Sequence, residues 1–190
     1  MSQSLPYVLI DDDFTLNYCL VALILYKLAL SPKKIATLDF EKLQIFLYLT
    51  KSPSKINSML NLAGKKFIPI NSQYTYTIES LSTNVDILFD RAKLKFLLRH
   101  LAARGMLACD KTIDPRSLKY LLTPSGTQFV ENLIVFPGED AERSGGSSIA
   151  NLVSKNYFLA ALEAIDNLSS LQSQPLSKLN FYLNTIFKGN

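Results

Sequence analysis

The stretch Cys19-Leu20-Val21-Ala22-Leu23-Ile24-Leu25 puts an apolar residue at every position of two helical turns, behind a run of three carboxylates, Asp11-Asp12-Asp13. Carboxylates ahead of an apolar stretch read as a helix start. They accept hydrogen bonds from the free N–H groups of the first turn and complement the positive end of the helix dipole. The helix so defined, about Asp13 to Ala29, has no polar face to offer water between Cys19 and Leu25. A helix that is apolar on every side is covered on several sides. It is therefore either the central helix of a core or the docking surface for another subunit, and the rest of the fold has to be arranged around it.

The same stretch is too short for a membrane. Tyr18 to Tyr26 is nine uncharged residues before Lys27, against about 20 for a spanning helix. A secretory signal opens on basic residues, and this segment opens on acidic ones. The chain reads as cytoplasmic, with no membrane partner. Cys19 and Cys109 then read as small buried apolar groups in a reducing compartment.

Further elements follow from caps and breakers. Ser31-Pro32 ends the first helix, and Asp39 caps a second, Phe40 to Thr50, with Leu43, Phe46, Leu47 and Leu49 or Thr50 inward. Ser52-Pro53 breaks that pattern, and Ser54 caps a third short helix that stops at Gly64. Residues 65–82, with Pro69 and Tyr74-Thr75-Tyr76-Thr77-Ile78, favour an extended segment or ordered loop. A long helix from about Asn84 to Arg104 has an inner stripe of Val85, Leu88, Ala92, Leu94, Leu97, Leu98 and Leu101, with Gly105 at its end. Met106 to Cys109 and Leu118 to Leu122 read as two short strands around a polar loop, a hairpin. Thr123 caps the next helix, with Pro124 in its first turn, running to about Val135. Residues 136–148, with Pro137, Gly138, Gly145, Gly146 and Ser-rich flanks, read as an exposed linker. Two amphipathic helices close the chain, Ile149 to Leu171 and about Ser177 to Phe187.

The fold class expected is mainly α with a small β-hairpin. The 190 residues suffice for one domain, alone or with a helical appendage. Its segments are residues 1–83, 84–135, 136–148 and 149–190: a helical region, a helix–hairpin–helix unit, the linker and a helical extension.

The chemistry of sites speaks mostly by exclusion. One His and two distant Cys make neither a His-rich metal site nor a zinc ribbon. Gly145-Gly146 lacks the Lys and helix context of a phosphate loop. The Asp11–Asp13 run fits capping better than a cation site, and no acid–base pair stands out. A catalytic cysteine would need His100 beside it, and nothing in the sequence places them together. No enzyme activity, metal or cofactor is expected.

What remains is charge. The chain has 20 Lys+Arg against 16 Asp+Glu, but residues 51–135 hold 12 basic and 6 acidic groups while both flanks are slightly acidic. Arg91, Lys95 and Arg99 recur every four residues and so form one exposed row; His100 and Arg104 form a second row beside it. With Lys111, Arg116 and Lys119 near the hairpin, they are the candidate nucleic-acid contacts. The competing reading is a solvated basic face without a ligand. Asp86 and Asp90 on the same helix oppose phosphate, and the helix lacks the Asn, Gln, Ser and Thr that read base edges. Contact without sequence preference, to phosphates or to an acidic protein surface, fits better. Surplus aromatics in the flanks, Phe40, Phe46, Tyr48, Tyr157, Phe158, Phe181, Tyr182 and Phe187, mean a larger core or an obligate interface.

Leu98-Arg99-His100-Leu101-Ala102-Ala103-Arg104-Gly105-Met106-Leu107, followed by Leu121-Leu122-Thr123-Pro124-Ser125-Gly126, resembles the end of a winged helix-turn-helix domain. That resemblance makes the long helix a recognition helix, the hairpin a wing, and Lys111 to Arg116 the wing tip. Together with the acidic-capped apolar first helix, the opening Leu38-Asp39-Phe40-Glu41-Lys42-Leu43 and the helical C-terminus, the layout also resembles the small middle components of three-component defence operons built around an SMC-like ABC ATPase, the Lamassu type included. The resemblance implies a non-enzymatic adaptor. It would clamp the ATPase through apolar helices and help it grip DNA, while a third subunit acts as effector. The alternative is a winged-helix transcriptional regulator, dimeric, on operator DNA.

Overall fold

The computed structural model describes residues 13–70, 88, 90–111, 117–134 and 149–188, except the side chains of 149–157 and 159. Asp11, Asp12, the segment 74–78 and the expected linker 136–148 lie outside these residues.

Helix α1, Phe14–Leu28, starts where its cap requires: Asp13 is extended and its carboxylate accepts the Leu16 N–H at 3.0 Å. Every residue from Tyr18 to Leu25 is buried. The helix packs against α2 (Phe40–Lys51), α4 (Arg91–Ala103), α5 (Pro124–Ile134), α6 (Ile149–Leu168) and strand β2 (Lys119–Leu122). Its apolar circumference is the centre of the core, the first of the two alternatives the sequence allowed.

A tight connection at the end of α1, closed by a Leu30–Ala36 bridge, turns the chain back to α2. Asp39 caps α2, accepting the Lys42 N–H at 2.9 Å. The sequence predicts one inner stripe on α2, yet it is buried from Leu43 to Lys51 without a break. The cause is its neighbours on several sides: α1, α3 (Pro53–Leu62), α6 and α7 (Leu176–Lys188). Phe46 and Tyr48 are the largest fully buried side chains among the described residues. With Phe40, they settle three of the surplus aromatics as core.

The structure moves three expected boundaries. α3 begins at Pro53, with Ser52 rather than Ser54 at the cap position. A proline lacks the N–H that a first-turn position leaves unused, so it opens the helix itself. The helix expected from Asn84 begins at Arg91. Asp90 is not helical, with φ −75° and ψ 74°, and its carboxylate accepts the Lys93 N–H at 3.0 Å. An aspartate able to cap here prevails over the apolar spacing that continues back to Leu88. The last helical turn before residue 172 tightens to a 3-10 turn, Ser169–Leu171.

Strands β1 (Leu107–Asp110) and β2 (Lys119–Leu122) form the antiparallel hairpin, with Leu107 opposite Leu122 and Asp110 opposite Lys119. Tyr120 donates its N–H to the Leu38 carbonyl at 2.9 Å, so the segment before α2 continues the ribbon on its other edge. Cys109 is exposed, contrary to expectation, because a two-stranded ribbon covers one face only. Cys19 is buried, and burial lifts its thiol to about 11.

The C-terminal helices are fastened into this body. Gln172 donates through Nε2 to the carbonyls of Leu28 (2.7 Å) and Leu30 (2.9 Å) and to Thr37 Oγ1 (3.1 Å). Asn167 meets the Ile68 backbone from both sides: Oδ1 accepts its N–H at 2.8 Å and Nδ2 donates to its carbonyl at 2.9 Å.

Candidate nucleic-acid interface

The sequence of α4, Arg-Ala-Lys-Leu-Lys-Phe-Leu-Leu-Arg-His-Leu-Ala-Ala, divides the helix into two faces. Leu94, Leu97, Leu98 and Leu101 are buried, and the opposite side is solvent-facing. Four cations and no carboxylate lie within the helix. Gly105, at φ +68°, ends it. The Met106 N–H reaches back to the Leu101 carbonyl at 2.9 Å, and β1 follows directly. A left-handed residue at that point is what turns the chain from helix into hairpin.

The seven candidate cations separate into distinct settings. Arg91 is held by α2: its guanidinium lies 2.9 Å from Glu41 Oε1 and 4.7 Å from the centre of the Phe40 ring. Lys119 points inward, its Nζ 2.8 Å from Asp39 Oδ2 and 3.0 Å from Ser117 Oγ, with both partners of the ion pair about 15% exposed. Beside them burial lowers the Lys42 ammonium, Asp39 acting to raise it and Lys119 to lower it further; Lys42 also donates to the Gln172 carbonyl at 3.1 Å. These cations hold the hairpin and the C-terminal segment to the start of α2. Arg104 is exposed and stands over the Tyr18 ring at 5.5 Å. Burial raises the Tyr18 phenol, and Arg104 opposes that rise. Lys95 and Arg99 are exposed, and among the described residues neither has an ion-pair partner. Lys111 is exposed at the end of β1, and Arg116 lies outside the described residues.

Sequence reasoning missed the rings beside Lys95 and Arg99. Phe96 is 51% exposed and Phe14 36%. With the half-buried His100 they form a three-membered cluster, edge to face throughout. Centroid separations are 5.6 Å for Phe14–Phe96, 5.0 Å for Phe14–His100 and 4.4 Å for Phe96–His100. The cluster leads inward through Phe14–Tyr18 and Tyr18–Phe129. One signal pointed to it: Phe96 and His100 are spaced i, i+4, and Phe96 falls outside the leucine stripe. Rings that would gain from burial are held instead at the surface, beside two cations that have no ion-pair partner among the described residues.

Other surfaces are plainer. Leu30, Ile35, Leu62, Ile68 and Phe181 are exposed apolar side chains on other elements. Ser58, Asn61, Leu62, Thr185 and Ile186 line an open groove of about 290 Å³ between α3 and α7. Among the described residues no three His, Cys, Asp or Glu side chains gather as a metal site, and no helix is long and apolar enough to cross a membrane.

Taken together, these features define a mainly α-helical protein whose distinctive chemistry lies on its surface, in cations, rings and scattered apolar side chains. Residues 28–135, more than half of the chain, match the family described as ABC-three component (ABC-3C) system Middle Component 4, and the chain belongs to that family. As a middle component of a three-component system, it has partner subunits. No curated protein and no solved structure matches the chain.

Proposed function

We propose that this protein is a non-catalytic accessory subunit of a cytoplasmic ABC-three-component defence complex. In this reading it binds the SMC-like ABC ATPase through apolar side chains and serves the third, effector subunit as an adaptor. It touches DNA without sequence preference through the outer face of α4, where Lys95 and Arg99 have no carboxylate partner among the described residues. Residues 84–135 act as a winged-helix unit. The observation that carries the reading is the family match over residues 28–135, which includes α2, α4 and the hairpin. Two features support the winged-helix part: the order helix–Gly–strand–strand–Thr-Pro–helix, and the Tyr120–Leu38 bond that ties the outer edge of the hairpin to the segment before α2. Arg91 and Lys119 leave the list of DNA contacts in this reading, because each is already bound to a carboxylate.

Co-purification of the tagged chain from its native host tests the proposal. A large ATPase recovered in stoichiometric amount is the expected result. Recovery of the chain alone, as a homodimer binding its own promoter, would overturn it in favour of a transcriptional regulator.

A further inference from the structure

The outer face of α4 joins two kinds of group that a duplex-binding helix has no use for together. Lys95 and Arg99 stand one turn apart, and Phe96 and His100 stand one turn apart on the adjoining row. Phe14 reaches across from α1 to close the ring cluster at 5.0–5.6 Å. Arg104 continues the cations past the end of the helix. Of the carboxylates near these residues in sequence, Asp13 and Asp90 accept backbone N–H groups of Leu16 and Lys93 as helix caps, and Asp11 and Asp12 lie outside the described residues. The exposed positions of α4 are Arg91, Ala92, Lys95, Phe96, Arg99, Ala102 and Ala103, so the face carries a large ring and cations but no large aliphatic side chain. An apolar partner helix would want several aliphatic anchors. Charge complementarity asks instead for a polyanion, and the rings ask for planar groups to stack on.

Among polyanions, the double helix fits poorly. Its bases are stacked inside, its outside offers phosphates to cations but no free base face for a half-exposed phenylalanine to stack on, and α4 has no Asn, Gln, Ser or Thr for base edges. An unpaired strand presents both partners at once, phosphates along one side and free base faces on the other. We infer that the Phe14–Phe96–His100 cluster, flanked by Lys95 and Arg99, is a stacking site for unpaired nucleotides, such as a single-stranded end or gap. This inference rests on the nucleic-acid contact proposed above and names its substrate. It does not depend on which subunit the protein joins.

The test is fluorescence anisotropy of the full chain, within its complex if it is isolated that way, on a labelled oligothymidine and on a blunt duplex of equal length. Single-strand binding at least ten-fold tighter than duplex is expected. Phe96→Ala, at a half-exposed position, removes about ten-fold or more of that preference. Lys95→Ala with Arg99→Ala weakens binding and lowers the slope of log K against log salt by about 0.7 for each cation. Circular dichroism and recovery of the ATPase are followed for each variant. Equal affinity for both oligonucleotides, binding to neither, or an unchanged preference in Phe96→Ala would overturn the inference, whether or not the ATPase is recovered. Loss of ATPase recovery in Phe96→Ala with nucleic-acid binding intact would also overturn it, making the cluster a protein interface. Failure of the adaptor reading shows separately, as no ATPase recovered with the unaltered chain.

Discussion

Asp39 does three things with one carboxylate. It opens α2 by accepting the Lys42 N–H at 2.9 Å, holds Lys119 of the hairpin at 2.8 Å, and opposes the burial that lowers the Lys42 ammonium. Removing it costs a helix cap, about 1 kcal/mol, and strands a largely buried ammonium, a loss of several kcal/mol in well-buried pairs. Asp39→Ala is expected to lower stability in urea by roughly 3 kcal/mol. Glu41→Ala, which frees only the exposed Arg91, should cost under about 1 kcal/mol; equal losses would show that the inner pair has no special weight. The capping role of Asp39 was legible in the sequence, since an aspartate before an apolar run says as much. Its partner was not. Lys119 lies eighty positions away in sequence, and nothing local distinguishes a lysine that turns inward from Lys95, which does not.

Elements were legible to the extent that their signals were local. The caps at Asp13 and Asp39, the stop at Gly105 and the Pro124 start all lie where the residue chemistry puts them. The start of α4 was misplaced because apolar spacing and a capping aspartate disagreed across residues 84–90, and only the backbone at Asp90 decides between them. Phe96 was overlooked for a similar reason. Periodicity identifies the side of a helix that is buried, and it is silent about a ring left on the other side. The contact of α5 with the hairpin depends on Gly126, where an added Cβ would meet the Met106 carbonyl oxygen and lie 3.1 Å from Leu122 Cδ2. That carbonyl also accepts the Thr123 N–H at 3.0 Å, so it has little freedom to retreat. Gly126→Ala should therefore cost roughly 1–3 kcal/mol, read as a lowered urea midpoint. A neutral result would mean that α5 shifts freely on the hairpin.

At the scale of the molecule, the C-terminal helices complete the core rather than decorate it. Ala161, Ala164, Ile165 and Leu168 of α6 are buried in the same cluster as α1, and Leu179 and Leu183 of α7 join them. The sequence left open whether this extension was an appendage, because amphipathic spacing names a buried face without naming what buries it. Circular dichroism and tyrosine fluorescence should accordingly report one coincident unfolding transition. Gln172→Ala, which leaves the Leu28 and Leu30 carbonyls without its amide, should move that whole transition down by roughly 2 kcal/mol. Two separated transitions would make the extension an independent unit. The bond from Gln172 back to Leu28 spans 144 positions, and this separation has a temporal meaning. A ribosome adding on the order of ten residues each second releases the apolar α1 well before Gln172. The segment that covers it arrives on the order of ten seconds later. Throughout that interval the nascent chain carries its future centre on the outside, where a chaperone or a partner made alongside it meets that helix before its own C-terminus does.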